Sequence, residues 1–210
     1  VPLPAGAVPV FHPDVSVHEV RDAAGRHVGL VYFAPFARPG KRSGAWMSQH
    51  RSQQRAGVVV TPIVSQNLNL VPPTAGEPAL LSWDDATTLF HEFGHALHGL
   101  LSDVRYRSLS GTNVVRDYVE LPSQLFEHWL ATREVLDRYA RHYRTGGPMP
   151  EALVTRIRES LSFNQGFATV EYLSGAIYDL RIHAADPDGL EPRRFEQDLV
   201  AGKIDLRPRR

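Results

Sequence analysis

The period of the sequence changes at Ser82. Before it, apolar residues fall in short alternating or β-branched runs; after it, they recur at helical spacing. A switch of this kind predicts an α+β chain, with a small antiparallel or mixed sheet in a β-rich segment over 1–80 and a helical segment over 81–210. Ser16 to Arg21 alternates by two, Asp22-Ala23-Ala24-Gly25-Arg26 supplies turn chemistry, and His27 to Phe33 is a second extended run, so a hairpin is expected. Residues 37–44 form a loop around Pro39-Gly40. The β-branched run 57–65 contains Pro62, which lacks an N–H and places this strand at an edge. An extended peptide could add itself to such an edge.

Beyond a Pro/Gly-rich connector over 71–78, Ser82 with Asp85 three residues later is the pattern of a helix N-cap with a capping acid. Ala86, Leu89, Phe90, Phe93, Leu97 and Leu101 then predict a helix over 83–101. A Ser/Gly/Asn loop over 108–115 separates it from a second helix over 117–143, in which Pro122 is tolerable only near the start. Residues 151–184 read as one long helix or two, with Gly166 and Gly175 inside, and a short helix follows near 191–201.

The first helix carries His91-Glu92-Phe93-Gly94-His95. Residues i and i+4 lie one turn apart on one face, so both imidazoles can point at one ion. Neutral imidazole suits Zn²⁺. Glu92 follows the first histidine directly and can act as a general base beside the pair. In a chain with 10 His, chance placement would produce this spacing about 0.02 times. The bland alternative is an amphipathic helix with two surface histidines and a solvated carboxylate.

A catalytic zinc needs a third protein ligand and an open position. The pattern HExxHxxGxxH is excluded, because His98 and Leu101 stand where its Gly and last His belong. A glutamate about 24 residues after the first histidine, as in thermolysin-like sites, is also missing, since Val115 stands there. Glu120 is the nearest good candidate, and it shares a helical face with Gln124 and Glu127. Taken alone, Glu120 is equally a first-turn carboxylate favoured by the helix dipole.

Composition narrows the chemistry further. The chain has 210 residues, no cysteine, and 23 basic against 23 acidic side chains. That excludes a thiol nucleophile, a thiolate zinc site and a disulfide framework. A balanced charge gives no general attraction to nucleic acid, and the Arg193-Arg194 and Arg209-Arg210 pairs are too few to supply one. No apolar run reaches the roughly 18 residues of a membrane span, and no basic-then-apolar leader opens the chain.

The stretch from Thr88 to His98, followed by Gly111-Thr112 and by Arg116-Asp117-Tyr118-Val119-Glu120-Leu121-Pro122-Ser123-Gln124, resembles the thimet oligopeptidase (M3) family of zinc peptidases. Within it the likeness is greatest to the bacterial peptidyl-dipeptidase branch, with the oligopeptidase A branch beside it. The segments Ala37 to Met47 and Phe163 to Ala168 are similar to that family too. The resemblance implies a mainly helical, zincin-type catalytic core. It implies His91, His95 and Glu120 as ligands of one Zn²⁺ and Glu92 as the base. The chemistry it implies is hydrolysis of short, unfolded peptides in the cytoplasm, as an endopeptidase or by release of dipeptides.

Members of that family are longer. They carry a helical region that walls a channel and a His- and Tyr-rich segment that holds substrate, so the chain from Val1 to Arg210 reads as a piece of a larger peptidase. Tyr172 and Tyr178 precede that segment and do not take its roles, and Ala34 stands where many relatives are acidic. Asp117 and Glu127 are candidates for orienting the histidines, and His98 for supporting Glu92 or the ligands. Gly111 and Thr112 are candidates for contact with a peptide backbone. Gly94 and Gly99 cost helix stability and predict a close neighbour. His128 and the remaining histidines read as structural or surface residues. Two other readings stand beside the peptidase: a non-catalytic fragment that still binds zinc, and a metal-dependent hydrolase of another substrate.

Overall fold

The computed structural model describes residues 1–203. The Arg209-Arg210 pair and the end of the predicted 81–210 segment lie outside the described residues. The chain forms two compact units, 1–149 and the part from Pro150 on.

In the first unit, β1 (Ser16–Arg21) and β2 (His27–Phe36) form the predicted antiparallel hairpin. β3 (Trp46–Arg51) and β4 (Ile63–Leu70) complete a mixed sheet of order β1-β2-β4-β3. The edge expected over 57–65 is not there. β4 begins only after Pro62 and lies inside the sheet, parallel to β2 and antiparallel to β3. Pro62 sits just outside the ladder, so its missing N–H costs nothing, while its carbonyl accepts the Leu30 amide at 3.1 Å. Val58 and Val59 are 71% and 72% exposed, so their β-branched character reports a loop. The outer edge of β1 is covered by the N-terminus, where the Leu3 amide donates to the Val17 carbonyl at 2.8 Å. β3 is the opposite edge, a strand whose polar sequence gives no alternating signal.

α1 (Trp83–Leu100) begins at the predicted cap: the Ser82 hydroxyl accepts the Asp85 amide at 3.0 Å and the Asp85 carboxylate accepts the Ser82 amide at 3.0 Å. Its inner face lays Ala96 and Leu100 on Val31 and Val64, with Val20, Met47 and Phe93 around them. Gly99 is required here, since a Cβ would stand 2.9 Å from a Val64 methyl. The buried polar side chains of β4 are also satisfied from within, for the Gln66 amide donates to the Leu89 carbonyl of α1 at 2.7 Å.

A 3₁₀ turn, Arg107–Leu109, leads to α2 (Leu121–Leu130) and α3 (Arg133–Tyr139). The single helix expected over 117–143 is therefore shorter and broken. Thr132 adopts extended backbone angles (φ −75°, ψ 149°), and its hydroxyl bonds the Trp129 carbonyl at 2.7 Å, competing with helix continuation. The second unit contains α4 (Glu151–Ser162), α5 (Gln165–His183) and α6 (Pro192–Lys203). Asn164, at φ 56°, separates α4 from α5, which resolves the 151–184 ambiguity in favour of two helices. No described helix is long and apolar enough to cross a membrane.

Candidate metal centre

α1 and α2 cross at Gly94. A Cβ there would lie 2.6 Å from the Ser123 Cα and 2.7 Å from the Pro122 carbonyl oxygen, so only glycine permits this approach. The crossing brings the face of α1 that carries His91 and His95 against the start of α2. Glu120 is not in the first turn of α2 but is its N-cap residue, with helical angles (φ −86°, ψ −6°).

One oxygen, Glu120 Oε2, lies 3.2 Å from His91 Nε2 and 3.1 Å from His95 Nε2. Ligand atoms of these three residues lie within 4.8 Å of one another. Burial holds the His95 imidazole below its ordinary pKa, with the Glu120 carboxylate acting in the opposite direction. Burial alone would raise Glu120, but the Ser123 hydrogen bond and the two histidines outweigh it and keep its carboxyl below the usual value. Both shifts favour the unprotonated forms that bind a cation. Two imidazoles and one carboxylate, converging from two elements, are a donor set that fits Zn²⁺ with a position left open.

Glu92 is not one of the three converging residues but lies near them, within electrostatic reach of His91 and Glu120. It is only 6% exposed, and its Oε2 is buried with no hydrogen-bond partner. Burial pushes its carboxyl up; the neighbouring His91 pulls it down, Glu120 adds to the rise, and the Met47 amide of β3 opposes it. The edge strand therefore runs past this carboxylate.

Of the residues expected to orient the histidines, Glu127 is the one in contact with them: its Oε1 lies 2.6 Å from His91 Nδ1. That contact leaves Nε2 facing Glu120. Asp117 is exposed and bonds neither histidine. His98 is half-buried with its ring 6.3 Å from that of Tyr118, its Nδ1 has no partner, and burial lowers its pKa. It lines an apolar groove of about 450 Å³ with Leu97, Leu101, Leu125 and Phe126. Gly111 belongs to that groove as well, with its amide on the Ser102 hydroxyl at 2.9 Å. Thr112, next to it, is half-buried, and neither residue is in the converging His–Glu group.

Ser123 was not singled out by sequence reasoning. It is fully buried, and its hydroxyl donates toward Glu120 Oε2 at 2.8 Å and the Glu120 carbonyl at 2.9 Å. The available signal was a serine three residues after a candidate ligand at a helix start, which resembles ordinary capping chemistry.

The chain is 46% identical over 206 residues to dipeptidyl carboxypeptidase of Escherichia coli (strain K12), covering 95% of this chain and 30% of that protein. It is 37% identical over 180 residues to oligopeptidase A of the same organism, covering 84% of this chain and 26% of the relative. A thimet-like oligopeptidase of Dictyostelium discoideum is 33% identical over 204 residues, covering 94% of this chain and 30% of that protein. The chain thus spans less than a third of the curated relatives it matches. Residues 4–201 match the family model described as peptidase family M3, and because the match covers nearly the whole chain, this protein belongs to that family.

Proposed function

We propose that this protein carries the metal centre of a zinc peptidase and hydrolyses peptide bonds of short, unfolded oligopeptides. The observation that supports it most is the convergence of His91, His95 and Glu120 beside a buried carboxylate, Glu92, that has an unpartnered oxygen. In this reading the three residues hold Zn²⁺. When bound, zinc supplies Lewis acidity at the scissile carbonyl and makes water a stronger acid. Glu92 accepts the proton of the attacking water and returns it to the leaving amine, a task suited to a carboxyl raised by burial. Glu127 keeps His91 in the tautomer whose Nε2 is free to bind.

The fold is read as a zincin-type core, supported by a helix bearing the two histidines laid on a mixed sheet. The strand offered to an extended substrate is β3, the open edge nearest Glu92, and not the 57–65 segment. The proposed setting is the cytoplasm, which suits a chain with no cysteine.

A second reading rests on coverage: the matched relatives extend far beyond this region. On that reading these residues bind zinc but lack groups that stabilise the oxyanion, which can be worth about 10²–10³ in rate. A quenched-fluorescence peptide assay with and without chelator separates the two. Chelator-sensitive turnover that Glu92→Gln abolishes, while its zinc content stays at about one per chain, supports the peptidase. Stoichiometric zinc without turnover supports the second reading, and absence of zinc overturns both.

A further inference from the structure

We propose that Ser123 is the positioning residue of the third ligand, holding the one Glu120 oxygen that faces both histidines. The inference rests on the reading of His91, His95 and Glu120 as metal ligands. Glu120 is the loosest of the three, with 47% of its side chain exposed against 26% for His91 and 12% for His95. A half-exposed glutamate retains rotamer freedom that metal binding would have to remove. The Ser123 hydroxyl limits that freedom, since it sits 2.8 Å from Oε2, the same oxygen that both Nε2 atoms approach.

The serine is itself well fixed. It is fully buried, so water does not compete for its hydroxyl, and its Cα is held against the backbone at Gly94. The metal motif and the third ligand are thereby tied through one contact. Gly94 sets where Ser123 stands, and Ser123 sets where Glu120 points. The hydroxyl has a single hydrogen and two acceptors in reach, the Glu120 carbonyl at 2.9 Å and Oε2 at 2.8 Å. The carbonyl also receives the Gln124 amide at 2.9 Å, so it keeps a partner when the hydroxyl turns to the carboxylate.

The test measures zinc affinity by chelator competition and the visible spectrum of the cobalt-substituted protein, in wild type, Ser123→Ala and Ser123→Thr. Ser123→Ala is expected to bind zinc about 10–100-fold more weakly and to shift the cobalt bands. Ser123→Thr keeps the donor and is expected to stay near wild type. Two results would overturn the proposal: wild-type zinc affinity and cobalt spectrum in Ser123→Ala, even with a lower apo melting point, or an equal loss in both variants, which assigns the effect to packing. If wild type itself takes up no zinc, the reading of the ligands fails and this inference with it. Zinc uptake by wild type that is lost in Glu120→Ala keeps that reading whatever Ser123 does.

Discussion

Gly94 and Ser123 meet backbone to backbone, and this contact decides how far α1 stands from α2 at the candidate metal centre. In an open helix, Gly→Ala stabilises by about 1 kcal/mol. Here the added methyl has no space, and Gly94→Ala is expected to destabilise by about 1–3 kcal/mol instead. Urea denaturation of the zinc-free protein gives the sign. The same variant is expected to lose zinc affinity, because His91 and His95 are carried away from Glu120.

In the proposed zinc site, Glu127 bears on the metal through His91. Glu127→Ala removes the 2.6 Å contact to Nδ1 and frees both the ring and its tautomer. A fall in zinc affinity of about 10–100-fold is expected. Isothermal titration with zinc, together with a cobalt spectrum, checks this; unchanged affinity would dismiss the orienting role.

Zinc bound to the folded state alone stabilises it by mass action, by about 2.7 kcal/mol when free metal is 100 times its dissociation constant. At about 2–4 °C per kcal/mol for domains of this size, chelation is expected to lower the melting midpoint by roughly 5–10 °C. Calorimetry with and without chelator reads the shift. In Glu120→Ala the shift should shrink towards zero.

Lys41 carries a separate prediction, one of pH. Its ammonium donates to the carbonyls of Ala34, Phe36 and Leu68, where the β2–β4 ladder shifts register. Burial, helped by the nearby Arg38, lowers its pKa to about 8. The unfolded chain, with an ordinary lysine, therefore binds more protons between about pH 8 and 10. Stability is expected to rise with pH across that window, as the cost of a half-buried charge is lifted. Urea midpoints at pH 7.5 and 9.5 should show the rise in wild type and a smaller one in Lys41→Met.

Local chemistry was legible wherever a few adjacent residues decide the outcome. The Ser82 capping box, the β1–β2 hairpin and the start of α1 all depend on contacts within a few positions. The run 57–65 misled because β-branched residues favour strands only where a pleated surface waits for them. Val58 and Val59 meet solvent instead. β3 was hidden for the opposite reason: its polar residues become a strand by pairing with β4, a partner distant in sequence. The break at Thr132 turned on one hydroxyl choosing a backbone carbonyl, a choice propensity does not resolve.

The sequence by itself determined which groups are available: two imidazoles one turn apart, a carboxylate between them, and a glutamate within reach of a returning helix. Helical periodicity is local, so His91 and His95 share a face whatever surrounds them. Only the tertiary structure decided which oxygen of Glu120 faces both rings, that Glu127 and not Asp117 holds His91, and that Ser123 grips the Glu120 carboxylate. Those relationships follow from the distance between two helices. That distance is set by the absence of a single Cβ at Gly94, a residue whose spacing in the motif identifies no partner until α2 is packed against it.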